Sequence, residues 1–475
     1  MARRHASALL FAAGVAAIAI AVLAVYWPYL NDFFALDDYI WLKEASNPSA
    51  ADYFRRAFSF PTASYFDPQT PFWRPLIDAY FYFGWRVFGL NALPYHIVNV
   101  ALHVAIATLT AVLVWQVSSS KRAGCLAGLL FAVLPTYNYA VTWISSATEL
   151  FGGFFYVLTL VLFAAYLPGS APRRWLYGAS LATLLLALLS KESAVTVPAA
   201  LGGVALLVRP PRTLHDVRRA VLELAPFAAL AIAYFIFIYS QEYSEASSQS
   251  QYQFGWHVRT NLWNYLQWVT FPVPNVRAAW VIDVKPYMAS AFLTLGAVSI
   301  ALRSPRAAFA FAWTIVALLP YSFFRLGIEY RYTYLACVPF VMFLAFFVQD
   351  VGARLRQPAQ TYVSVGVILA VFALCGFLAT ETRDRQTALS FQGDAYRQAY
   401  EEVPALCGEL PREASIFMIY DPVYDLFNTS LRMALNLTYD DVYVYRGEPP
   451  ELIAFVPNVC LLDYVDGRFV LVDKH

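Results

Sequence analysis

Apolar residues in this chain gather in long uninterrupted runs. They do not show the stripe of a soluble helix or the alternation of a half-buried strand. The first run lies inside MARRHASALLFAAGVAAIAIAVLAVYWPYL, and others follow at roughly 93–117, 123–136, 142–167, 174–190, 193–208, 219–240, 284–302, 307–321, 332–349 and 361–380. A helix crossing a bilayer needs ~20 such residues, so the pattern predicts about eleven spans, the third, fifth and sixth being short. The N-terminal run starts with charge and contains AxA-like triplets, as signal peptides do. Its apolar stretch is longer than the ~7–15 residues of a cleavable signal, so it reads as a retained first helix.

The polar segments alternate in charge. Arg3 and Arg4; Lys121 and Arg122; Arg173 and Arg174; Arg209, Arg212, Arg218 and Arg219; Arg303 and Arg306; and Arg354 and Arg356 fall in every second loop. The positive-inside rule puts those loops in the cytoplasm, with the N-terminus inside and the C-terminus outside a cell (inner) membrane. The intervening loops are longer. Residues 27–94 contain DYFRRAF and PLIDAYFYFGWRVFGL, which read as interfacial helices. Residues 242–257 are Ser- and Gln-rich and suit either a lid or a plain connection. Beyond residue 380, SIFMIY, DVYVYR, VCLLDYV and RFVLVD have strand length, and DLFNTSLRMALNL has helical spacing. The expected architecture is therefore a polytopic α-helical membrane protein with interfacial helices in the first outer loop. Residues 1–380 form its transmembrane domain, and residues 381–475 a small extracytoplasmic α/β domain.

Composition agrees with this class. The 475 residues are 60% hydrophobic and 14% charged, with mean hydropathy +0.52. A net charge of +1, without a basic stripe, gives no reason to expect a nucleic-acid partner. Cys125, Cys337 and Cys375 fall in apolar runs. Cys407 and Cys460 lie outside them, where an oxidising compartment permits pairing and two buried thiols are the alternative.

No GxGxxG, P-loop, HExxH, GxSxG or paired CxxC occurs in a usable context. His96, Asn99 and His103 share one helical stripe, better suited to bonding neighbouring helices than to holding a metal. More informative is ALDDYIWL, where Asp37 and Asp38 follow the first span. Carboxylates at an apolar rim are costly to hold, although a solvated turn is the bland account. On the same face lie Arg74 in PFWRPL, Glu149 in VTWISSATEL, Lys191 and Glu192 in LLSKESAVTVP, and Arg325, Glu329 and Arg331 in FFRLGIEYRYTYL. Cations there suit a phosphate whose lipid tail stays in the bilayer. Snorkelling and mutual pairing, such as Glu329 with Arg331, is the alternative.

The acidic pair, then FWRPL, YHIVNVALH, LFAVLPTYNYAVTWISSATEL, LLSKESAVTVP and EYRYTYL in that order, resembles the GT-C glycosyltransferase superfamily over residues 1 to about 350. The likeness is to its protein O-mannosyltransferase-like branch. It implies transfer of a sugar from a polyprenyl-phosphate carrier on the outer face to a protein, lipid or glycan hydroxyl. It further implies Asp37 or Asp38 as catalytic base, with Arg74, Lys191 and Arg331, and Arg325 as substitute, at the donor phosphate. His96, Asn138, Glu149 and Glu329 would support substrate. No metal or cofactor is expected. The chain departs from the pattern in carrying Leu134 where such relatives often have His, and in lacking helical repeats. A lipid or sugar transporter and a non-catalytic envelope assembly factor are the rival readings.

Overall fold

The computed structural model describes residues 2–46, 49–58, 73–167, 173–242, 253–271, 285–325, 328–354, 359–420, 422, 429–447 and 457–474. By contact the chain divides into two compact units. One comprises Met1–Trp27, Val98–Thr142 and Ser146–Asp384; the other comprises Pro28–Ile97, Trp143–Ser145 and Arg385–His475. Sequence pattern alone divides the chain once, near residue 380. The contact-based division instead groups the first outer loop with the C-terminal segment.

The first unit is helical. Helix Ala2–Tyr26 packs against Lys121–Val133, Ala147–Tyr166 against Arg174–Leu188, and Pro305–Ser322 against Tyr334–Arg354. Among the described residues five helices are long and apolar enough to cross a membrane, or six if one bent pair counts as a single span. The chain is thus a polytopic helical membrane protein, and among the described residues fewer helices meet this measure than there are apolar runs. The reason is local. The run at 123–136 breaks at Pro135, where Lys121–Val133 and Pro135–Thr142 meet at 41°, because proline cannot donate into the preceding turn. Arg174–Leu188 and Glu192–Val208 are apolar but short. Most of the Ser- and Gln-rich loop, residues 243–252, lies outside the described residues.

The second unit carries short helices Asp38–Ala45, Ala50–Phe58 and Pro75–Phe88, the last opening with proline, whose fixed φ suits a first helical turn. It also holds a four-stranded sheet of β1 (Ser415–Met418), β2 (Tyr443–Arg446), β3 (Val459–Val465) and β4 (Arg468–Lys474), in the order β2-β1-β3-β4. Strand β1 runs parallel to both neighbours, pairing Ile416 with Val444 and Cys460, while β3 and β4 form an antiparallel hairpin. Asp466 and Gly467 turn that hairpin with φ of 51° and 82°, the left-handed pair that matches strand twist. Ile416, Met418, Val444, Cys460 and Leu462 are buried. Cys407, ending helix Ala359–Cys407, is disulfide-bonded to Cys460 with Cα atoms 5.8 Å apart.

Candidate functional site

The acidic pair enters through an unusual backbone. Leu36 has φ of 53°, a conformation non-glycine residues adopt only when their surroundings impose it. Asp37 follows in right-handed helical geometry, and Asp38 begins helix Asp38–Ala45. The two carboxylates part because consecutive helical residues diverge by about 100°.

Their surroundings differ sharply. Asp38 is 1% exposed. Its Oδ2 accepts the Ala35 N–H at 2.9 Å, and its Oδ1 accepts the Ser145 N–H at 2.7 Å together with the Ser145 hydroxyl. The Trp143 indole adds a bond to the Ala35 carbonyl at 3.1 Å. Burial pushes the Asp38 carboxyl up to about 7, against the opposing pull of those three donors. Asp37 is only half-buried and caps no helical N–H.

The loop is braced from the C-terminal side of the same unit. Ser390 donates to Asp32 Oδ2 at 2.8 Å, Tyr39 and Tyr396 rings lie 4.9 Å apart, and the Arg397 guanidinium sits 4.5 Å over Phe33. His96 is buried, and its Nε2 lies 3.0 Å from the Asp32 carbonyl, so that nitrogen carries the proton. Arg74 is half-buried just before helix Pro75–Phe88. Burial holds the nearby Asp78 well above the carboxylate range, with Arg74 pulling it back.

In the first unit a second cluster forms. Lys191 is 2% exposed, and its Nζ lies 2.7 Å from Glu149 Oε1 and 3.9 Å from Glu192 Oε1. The Tyr321 hydroxyl donates to Glu149 Oε2 at 3.0 Å. Gly152 lets this happen, since a Cβ there would come within 2.7 Å of Lys191 Cβ. Tyr321 and Tyr332 stack at 5.0 Å, and both Lys191 Nζ and the Arg331 guanidinium lie 5.3 Å from the Tyr332 ring. The structure thus brings Lys191 and Arg331 to one aromatic shelf. Arg331 is also paired with Glu329 at 2.6 Å. Arg325 is exposed and contacts Gln253. Asn138 is buried at the start of helix Asn138–Thr142, and its Nδ2 has no hydrogen-bond partner among the described residues.

Other candidates prove to be packing groups. His103 Nδ1 lies 2.8 Å from the Tyr334 hydroxyl and its Nε2 3.3 Å from the Ala132 carbonyl, and Asn99 bonds the Val141 carbonyl. Sequence reasoning missed Trp143, Ser145, Tyr321 and Tyr332. The first two stand in the quoted VTWISSATEL, but nothing in their spacing ties them to Asp38.

No family model matches this chain. Over 128 residues it is 35% identical to Protein O-mannosyl-transferase Tmtc1 of Drosophila melanogaster, a match covering 26% of this chain and 14% of that protein. The chain therefore spans only a small part of that relative's length. Among solved structures, apo ArnT from Cupriavidus metallidurans superposes with TM-score 0.51 and 15% identity, covering 95% of this chain and 87% of that one. The Archaeoglobus fulgidus oligosaccharyltransferase, in a complex with Zn and sulfate, gives TM-score 0.50 and 13% identity over 91% of this chain and 62% of that one. The chain shares the fold of these two membrane proteins. The stretch shared with Tmtc1 is a local likeness of 128 residues.

Proposed function

We propose that this chain is a membrane glycosyltransferase that moves a sugar from a polyprenyl-phosphate donor to an acceptor hydroxyl on the extracytoplasmic face. The observation that carries the reading is the division of labour within the acidic pair. Asp38 is buried and engaged by three donors, which suits holding the loop. Asp37, one residue before it, keeps part of its surface in reach of solvent and is assigned the base. Its carboxylate takes the acceptor's proton as the new C–O bond forms, while the lipid phosphate departs with the old bonding pair. A single base acting by direct displacement inverts the anomeric centre. Phosphate is already a good leaving group, so neutralisation by guanidinium or ammonium meets the remaining need.

The donor class is in keeping with the ArnT fold, since that protein has been crystallised bound to undecaprenyl phosphate. Arg74, Arg331 and Arg325 are the preferred phosphate ligands, each to be tested by itself. Lys191, whose charge Glu149 already meets, is assigned to holding the Tyr321–Tyr332 shelf. A divalent ion fits the acidic pair poorly, because both Asp38 oxygens already accept hydrogen bonds. The acceptor is a peptide, glycan or lipid hydroxyl, and the C-terminus is assigned to the extracytoplasmic side of the inner membrane.

Purified protein in lipid nanodiscs, given radiolabelled polyprenyl-phosphate sugars and a crude envelope acceptor fraction, should label the acceptor, and Asp37→Asn should not. A folded protein that transfers nothing from any donor would favour the assembly-factor reading.

A further inference from the structure

A cavity of about 530 Å³ opens beside the N-terminal turns of helix Leu214–Glu242, lined by Tyr177, His215, Arg218, Arg219, Leu222 and Glu223. It lies at the far end of the bundle from the Glu149–Lys191 pair. Helix Ala147–Tyr166 carries Glu149 in its first turn and Tyr166 at its end, about 25 Å away at 1.5 Å per residue. Tyr166 reaches this cavity's wall, its hydroxyl donating to Glu223 Oε1 at 3.2 Å.

The wall is built rather than incidental. Glu223 is clamped by two guanidiniums, Arg219 Nε at 3.0 Å from Oε1 and Arg209 on Oε2, while the Tyr177 hydroxyl donates to its backbone carbonyl at 2.8 Å. Arginines at a helix end ordinarily snorkel outward. Here two of them are pinned by one carboxylate at the wall of an open cavity. Arg209, Arg218 and Arg219 together outnumber the one carboxylate, so the wall carries an excess of positive charge.

The flanks of this place are apolar and open. Leu214 is 84% exposed, Leu222 61%, Val221 59% and Trp175 65%. Only 17% of the apolar window of this helix is buried inside the protein. A soluble anion has no use for such flanks. A lipid whose acyl chains run along the helix and whose phosphate enters the basic cavity satisfies both features.

We infer that this cavity binds the phosphodiester headgroup of an anionic bilayer phospholipid, in the leaflet that meets the arginine-rich helix ends. The negative phosphodiester meets the excess of guanidinium, and the volume is within the usual range for a small-ligand site. The site is separate from the proposed sugar-transfer chemistry and does not depend on it.

Native mass spectrometry of the full chain, released from nanodiscs of phosphatidylcholine with or without phosphatidylglycerol, tests this. Wild type should retain phosphatidylglycerol, Arg218→Gln should retain about tenfold less, and Arg218→Lys should restore most of it. His215→Gln serves as a second lining variant should Arg218→Gln fail to melt cooperatively in lipid-free detergent. Equal phosphatidylglycerol retention by wild type and a folded lining variant would overturn the inference. So would saturation of the site by free glycerol 3-phosphate, which would make it a soluble-anion site. Preference for undecaprenyl phosphate over phosphatidylglycerol, lost in the variant, would overturn it in favour of the carrier lipid.

Discussion

Ser145 donates twice to one oxygen of Asp38, through its backbone N–H at 2.7 Å and through its hydroxyl, across 107 positions of sequence. A carboxylate held this way fixes the loop that presents its neighbour. Ser145→Ala removes the hydroxyl and leaves the N–H, so it should destabilise the protein by about 1–3 kcal/mol, the usual result of taking a partner from a buried polar group. Thermal melting in detergent measures it, and an unchanged melt would show that the contact does not matter to the fold.

Asp37→Asn keeps shape while removing basicity. It should lower turnover by about 10²–10⁴-fold without changing the melt. Asp38→Asn should instead lower activity and stability together, because an amide presents an N–H to donors that need an acceptor. Near-normal turnover in Asp37→Asn beside a well-folded, inactive Asp38→Asn would exchange the two roles.

Stability should depend on pH through Asp38. Its carboxyl titrates near 3.8 ordinarily and near 7 in the folded protein. Between those values the folded state holds a proton that the unfolded chain has lost. Stability should therefore fall as pH rises from about 4 to about 7, with a slope approaching about 1.4 kcal/mol per pH unit from this one group. Melting curves across that range should flatten in Asp38→Asn. A slope unchanged by the substitution would assign the effect elsewhere.

Lys191→Met would leave the Glu149 carboxylate buried without its cation and should cost about 3–5 kcal/mol. Adding Glu149→Gln should recover most of that loss. A double-mutant cycle reads the coupling directly, and simple additivity would mean the two side chains do not act as a pair.

Replacing Cys407 and Cys460 by Ser opens a link between residues 53 apart and should cost about 4 kcal/mol on chain-entropy grounds. Unreduced peptide mapping of the wild type should show the crosslinked pair, and two alkylatable thiols would rule it out.

Much of this was legible beforehand where the signal is local. The apolar runs give helices Ala92–Ser118 and Ile144–Tyr166 their length, and the Glu329–Arg331 pair is visible as neighbours. The Asp-Gly turn between VCLLDYV and RFVLVD is likewise a local instruction. What was hidden is long-range. Neither the Ser145 bonds to Asp38 nor the Lys191 pairing with Glu149 leaves any periodicity, because tertiary approach alone creates them. Nor does the sequence announce how Asp37 parts from Asp38, since it is Leu36 in left-handed geometry that turns the chain directly into a helix.

The loop bearing the acidic pair also has a history in time. Lys43, one turn beyond Asp38, reaches the carbonyl of Asn436, 393 residues later in the chain. At about 5–20 residues per second, synthesis separates those two groups by roughly 20–80 s. The carboxylates are therefore made long before the segment that steadies them. Until Asn436 has emerged, the nascent loop has its Ser145 bonds but not this later contact, so the bracing of the acidic pair is completed late in synthesis.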